Sequence, residues 1–198
     1  MEEVKRECVL LNTTYFGPIQ WYQQLNKAER VCIEACESFI KQTYRNRCII
    51  ATTNGLQTLS VPIEHNRTAN TRKPSPITQT RISNHGNWRH LHWNALASAY
   101  GTSPFFDYYV DDLRPFFEKK WENLFDFNLA IIYKMKELLD IDTEIQLTDS
   151  FKDIEPLDET AFQPKRYYQV YEQKHGFQPN LSILDLLFNM GNEAILYL

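Results

Sequence analysis

The stretch FIKQTYRNRC, residues 39 to 48, gathers Lys41, Arg45 and Arg47 around two aromatic residues, Phe39 and Tyr44. Arg45 and Arg47 flank Asn46, so two guanidinium forks and an amide can present donors to a carboxylate or phosphate, and Lys41 adds a point charge. Tyr44 or Phe39 can stack on a base or a sugar. The chemistry such a pattern serves is the holding of a small anion, a diphosphate in particular. The same residues also suit a solvated strand edge guarded by cations, which needs no ligand. The formal net charge is −4, so an anion site has to be local, and the molecule lacks the overall field expected of a nucleic-acid binder.

Three histidines, His85, His90 and His92, fall within NHGNWRHLHWN. On a helix His90 and His92 point about 200° apart and cannot share a metal ion, so no metal site is read here. His90, a neutral imidazole beside Arg89, suits a general base near neutral pH. A histidine fixed by hydrogen bonds at a helix start beside buried tryptophans is the alternative. Farther upstream, YFGPIQWYQQ places Tyr15, Gln20, Gln23 and Gln24 at a strand end and along a helix, where polar side chains can line a crevice. The carboxylate pairs Asp111-Asp112 and Glu34 with Glu37 receive no role, since paired acids are ordinary on surfaces. Nucleotide, zinc-protease and serine-hydrolase signatures are absent, and with six glycines a glycine-cradled phosphate site is improbable.

These residues need elements to hold them. CVLLNTTYF is β-rich and stops at Gly17-Pro18, after which Ile19, Tyr22 and Leu25 recur at helical spacing. RVCIEACESF alternates as a second strand, giving a βαβ unit. RCIIATTNGLQTLSVPI places two β-rich runs around Asn54-Gly55, a dipeptide suited to the positive φ angles of a type I′ hairpin. Residues 64 to 78 are polar and proline-containing, a long loop. A short strand is expected over Ile77 to Ile82, and a helix opens at Asn87 with Trp88, Leu91, Ala95 and Leu96. Ser103-Pro104 reads as the cap and first turn of the next helix, which Pro115 should bend or end. Further expectations are a helix from about Trp121 to Leu139, a strand at EIQLTDS, an irregular acidic crossing from Asp149 to Thr160, and a final helix capped by Ser182 and closed by Gly191. The fold class is α/β, a mixed or largely parallel sheet opened by the βαβ unit, with a β-hairpin and several covering helices.

With 198 residues, 43% of them hydrophobic, the chain can bury one full core and is read as a single domain over residues 1 to 198. No run approaches the roughly 20 apolar residues of a membrane span, and the start lacks a signal-peptide core. Cys8, Cys32, Cys36 and Cys48 are read as reduced core residues of a cytoplasmic protein.

Taken in order, YFGPIQWYQQL, FIKQTYRNRC, NGLQTLSVPI, GNWRHLHWNAL, SPFFDYY, DFN at Asp126 to Asn128 and GFQPNLSILDLLFN resemble the WbqC-like proteins, over nearly the whole chain. That resemblance implies a role in bacterial O-antigen and surface-polysaccharide synthesis. The suggested activity is group transfer, aminoacyl (glycine) or acyl, onto a nucleotide-linked amino sugar. The resemblance supplies the pathway and residue chemistry the roles: His90 is expected as the catalytic base, with Tyr15, Gln24, Lys41, Tyr44, Arg45, Asn46, Arg47, Asn87, Trp88 and Arg89 contacting substrate. No cofactor is implied beyond an acyl or aminoacyl donor as co-substrate, and partners are the nucleotide sugar, or another anionic small molecule, and a pathway glycosyltransferase. The rival is a non-catalytic binding or assembly protein of the same pathway. The chain departs from the family at Thr13-Thr14, where many members carry Gln-Pro, and at Cys36, which takes the place of one acid of a pair.

Overall fold

In a computed structural model that describes residues 8–64, 75–155, 157 and 162–198, the chain opens as the βαβ unit that its periodicity predicts. Strand β1 (Val9–Leu11) leads into helix α1 (Ile19–Lys27) and returns as β2 (Arg30–Ile33), parallel to β1 with Leu10 opposite Cys32. Apolar Ile19, Trp21, Tyr22 and Leu25 bury one side of α1. The second strand stops at Ile33, short of the expected run, because the next residue is a buried carboxylate that bonds outside the ladder.

The hairpin follows as β3 (Arg47–Thr52) and β4 (Gly55–Ser60), pairing antiparallel as a separate two-stranded sheet. Its turn differs from the type I′ expected: Gly55 takes φ +106° while Asn54 is not left-handed, and Asn54 N–H donates to the Thr52 hydroxyl. The turn therefore has one left-handed residue, Gly55, following the Thr53-Asn54 loop rather than two within it. Of the long loop over residues 64 to 78, residues 65–74 lie outside the described set. Ile77 to Ile82 forms no strand. It makes a 3-10 turn at Ile77–Gln79, then two isolated bridges, Arg81 to Asn123 and Ile82 to Ile63. With single partners on two different segments, it has no ladder to join.

Helix α2 (Trp88–Tyr100) starts where Asn87 adopts φ +45°, as its sequence pattern predicts. Helix α3 (Phe106–Leu113) begins after Phe105 rather than after Ser103, whose hydroxyl instead donates to the Tyr100 carbonyl and closes the preceding helix. Pro115 ends α3 and becomes the first residue of α4 (Pro115–Glu118). Helix α5 (Leu124–Leu138) starts three residues later than expected because the Asn123 side chain accepts from the Phe125 and Asp126 N–H groups. Strand β5 (Glu144–Leu147) then joins β2 in parallel, giving the order β1-β2-β5. The acidic crossing has no regular structure over 149–155, and residues 156 and 158–161 are outside the described set. The short α6 (Glu172–His175) precedes α7 (Ile183–Met190), whose cap Ser182 and terminator Gly191, at φ +56°, are those predicted.

One contiguous core runs from Leu11 to Leu198 and is rich in aromatics: Phe16 stacks on Phe117, and Phe127 packs against Tyr15, Trp88 and Trp121. The tail is part of that core. Ser182 bonds through its hydroxyl to the Phe16 carbonyl and through its N–H to Ile49, tying the α1 entry to β3. No helix among the described residues is long and apolar enough to cross a membrane.

The cysteine expectation fails in part. Cys8 and Cys32 are joined as a disulfide, Cα to Cα 5.9 Å, while Cys36 and Cys48 are free thiols. The reason is register: Leu10 faces Cys32 across the parallel pair, and Cys8, two residues earlier on the same face, reaches it diagonally.

Asp185 is the buried polar hub of this architecture. It is 1% exposed, and its carboxylate accepts from the hydroxyls of Tyr100 and Tyr167 and from the Gln169 amide. Burial lifts its pKa from 3.8 to about 6, against the lowering effect of those donors. The folded state therefore holds the proton more tightly than the unfolded chain. The associated stability is complete below 3.8 and is lost as pH rises through about 6. Asp185→Asn, which stays neutral, should lose more stability relative to wild type at pH 4 than at pH 7, by roughly 1–3 kcal/mol. Urea denaturation of both proteins at the two pH values measures the difference, and a pH-independent gap would contradict the assignment.

Candidate functional site

Strands β2 and β5 are parallel neighbours, so their carboxyl ends open side by side, the usual place for a ligand crevice in α/β sheets. The segments that leave them, 34–38 and 148–154, face each other there. Glu34, fully buried, joins the two: its carboxylate accepts from Cys36 N–H at 2.7 Å, from the Thr148 hydroxyl at 2.9 Å and from Lys152 N–H at 2.8 Å. The Thr148 oxygen in turn accepts from Ala35 N–H. Three hydrogen bonds to one carboxylate, and a fourth from Ala35 to Thr148, fix both walls.

Between the walls lies a cleft of about 560 Å³, within the range that small-molecule sites occupy. Cys36, Glu37, Ser38 and Arg45 supply its polar side, and Ile40, Phe151 and Ile154 supply its apolar side. Arg45 and Glu37 form a two-point ion pair, Nε to Oε1 at 2.8 Å with a second bond from the terminal nitrogen to Oε2, and both side chains are nearly buried. A third Arg45 N–H bonds the Thr43 hydroxyl. A guanidinium carries five N–H bonds, so with three used among the described residues two remain. Arg45 is thus a fixed directional donor whose charge Glu37 already balances, rather than an open cation for a diphosphate.

The other predicted site residues divide between solvent and core. Lys41 is exposed and Tyr44 half-buried, its carbonyl accepting from Tyr15 N–H. Asn46 bonds the Val61 carbonyl through its amide N–H. Arg47 opens β3 opposite Ser60 and forms no ion pair with the described residues. Gln24 is half-buried on α1. Asn87 is exposed at the α2 entry, Trp88 is buried with its indole N–H on the Ser83 carbonyl, and the Arg89 guanidinium lies 5.4 Å from the Trp88 ring. His90 is exposed on α2 with Nε2 2.9 Å from the Asn94 amide. Nothing in the described contacts brings His90 to the cleft.

The opposite face of α2 carries the buried imidazole, as the angle between His90 and His92 requires. His92 Nδ1 is 2.8 Å from the Tyr15 hydroxyl. Burial lowers the His92 pKa to about 4, outweighing a hydrogen bond to the Ser60 backbone, and burial raises the Tyr15 hydroxyl well above its ordinary value. Both are neutral near pH 7, and Tyr15 serves as a packed hydrogen-bond partner there. Among the described residues no group of three or more His, Cys, Asp and Glu side chains could hold a metal ion.

Glu34 and Glu37, read from sequence as an ordinary surface pair without a role, are instead both buried and bonded at the cleft, and Thr148 and Phe151 were not singled out by sequence pattern. The available signal was Glu34 itself, a carboxylate directly after the apolar run of β2, where it has no water to face.

The profile of the WbqC-like protein family matches residues 13–161 and 157–197. A similar curated protein is the uncharacterized protein Rv1507c of Mycobacterium tuberculosis, 29% identical over 197 residues, covering 81% of this chain and 83% of that one. No solved structure matches.

The ion pair gives the site a direct test. Glu37→Gln leaves a nearly buried guanidinium with no opposing charge and should cost about 3–5 kcal/mol in urea denaturation. Replacing both Glu37 and Arg45 by Met should cost less than the single change. A loss below about 1 kcal/mol for Glu37→Gln would mean that the pair is solvated and does not wall the cleft.

Proposed function

The chain belongs to the WbqC-like protein family, and from that premise we propose that it transfers an acyl or aminoacyl group onto the amine of a nucleotide-linked amino sugar in bacterial surface-polysaccharide synthesis, in the cytoplasm. The observation that supports this reading is the cleft at the carboxyl ends of β2 and β5, with the Glu37–Arg45 pair in its wall. A substrate carbonyl can accept from an Arg45 N–H group that has no partner among the described residues. Lys41, exposed on the same loop, and Arg47 supply the charge for the diphosphate. His90, exchanging its Asn94 contact for the substrate, takes the proton of the acceptor amine as the nitrogen bonds the acyl carbon and the donor's ester or thioester bond breaks to release its alcohol or thiol. This requires the bound substrates to bring that carbon from the cleft to α2.

A ligand that binds only the folded state raises its melting temperature. UDP- or dTDP-linked amino sugars should raise it, and Lys41→Glu, a change on an exposed side chain, should remove most of the rise without altering the melting temperature of the free protein. His90→Ala should leave the rise intact and lower turnover about 10²-fold or more. Failure of every nucleotide sugar to shift the folded protein would favour the assembly role in the same pathway.

A further inference from the structure

The cleft's charges cancel. Arg45 is matched by Glu37 through two hydrogen bonds, and Lys152 is followed in the chain by Asp153, both exposed at the cleft. A multiply charged group gains little at Arg45, because attraction to its guanidinium is offset by repulsion from the Glu37 carboxylate bonded to it, and the four charged lining residues sum to zero. What the wall offers instead is Arg45 itself, fixed in direction and with two N–H groups that have no partner among the described residues. They suit an uncharged oxygen, since the direction of the guanidinium is fixed and its field is already balanced.

Opposite them the surface is apolar and open. Ile40 is 55% exposed and Phe151 is 64% exposed, and both line the cleft with half-buried Ile154. These three come from two separate segments, 40 and 151–154, that the Glu34 hydrogen bonds hold on facing walls. Isolated exposed apolar side chains are ordinary, but three converging on one concavity beside a directional donor define a two-part site. The matching ligand has a neutral acceptor oxygen at one end and a hydrocarbon arm at the other.

We propose that this cleft is the donor subsite for an aliphatic acyl group. The acyl carbonyl oxygen accepts from Arg45, and the chain lies on Ile40, Phe151 and Ile154. The inference rests on the group-transfer reading and narrows its donor: an acyl chain is preferred over a glycyl group. The glycyl ammonium would lie against the apolar wall, where its three N–H donors meet hydrocarbon and, of the lining carboxylates, Glu37 is held by Arg45, and Asp153 alone is left to accept.

Cys36 provides a reporter that needs no turnover. It is the exposed free thiol on the cleft wall, Cys48 is buried, and Cys8 and Cys32 are joined. Hexanamide, a stable carbonyl with a hydrocarbon arm, should slow alkylation of Cys36 by iodoacetamide, read by mass spectrometry of the intact protein and its peptides. Acetamide and glycinamide at equal concentration should not. Phe151→Ser and Ile40→Ser, both on exposed side chains that the fold does not need, should each weaken hexanamide protection roughly tenfold. Protection by glycinamide equal to that by hexanamide overturns the preference, and undiminished protection in Phe151→Ser overturns the subsite. Hexanamide protection with no melting shift from any nucleotide sugar keeps the apolar subsite and removes the proposed acceptor; the reverse result removes the subsite alone.

Discussion

Glu34 is a carboxylate with no exposure to water, and much of the site follows from satisfying it. An ionised carboxylate buried without partners costs several kcal/mol, so donors have to converge on it from whatever lies nearby. The N–H of Cys36 comes from its own loop, the hydroxyl of Thr148 from the end of β5, and the N–H of Lys152 from the segment beyond. Each donor fixes a different part of the chain. Strand β2 has to turn at Ile33, β5 has to end level with it, and residues 148–152 have to fold back over the gap. The cleft is the space those requirements leave.

A second tie acts at the opposite end of the sequence. Residues 181–185 bond to Phe16, Gly17, Ile19 and Ile49, so the last helix is fastened both to the α1 entry and to the hairpin. Asp185 extends the tie to Tyr100 on α2 and to Tyr167 and Gln169 in the segment before α6. The parallel sheet and the hairpin do not share a ladder, and side-chain packing with this segment holds them in one core. The tail's polar residues are therefore spent on architecture, although their types alone would suit a site equally well.

Periodicity was enough for the βαβ unit, the hairpin, the start of α2 and the capped last helix, because each depends on local pattern and cap chemistry. The failures came where a distant partner decided the outcome. Ser103 looked like a cap until the Tyr100 carbonyl took its hydroxyl, and Ile77 to Ile82 looked like a strand but had no ladder to join. Cys8 and Cys32 were indistinguishable from core thiols until the register of β1 against β2 was known. At the site, FIKQTYRNRC was legible as a cationic loop after the second strand. Its central pairing was not, since Glu37 lies eight residues before Arg45 and a sequence does not say which carboxylate a guanidinium will meet.

That pairing alters what the loop can recognise. Read in isolation, three cations suggest attraction by charge. With Arg45 forked onto Glu37, the proposed site would use the buried part of the loop for direction and leave attraction by charge to exposed Lys41 and to Arg47, which forms no ion pair among the described residues. A buried, doubly bonded guanidinium loses little further rotamer freedom when it binds, so its remaining N–H groups meet a ligand already oriented. Exposed lysine pays that ordering entropy and is screened by salt. Under the proposed function, capture by charge and local positioning would thus fall to different residues of one short loop, and the division follows from the burial of Glu37, which fixes Arg45 and leaves Lys41 in solvent.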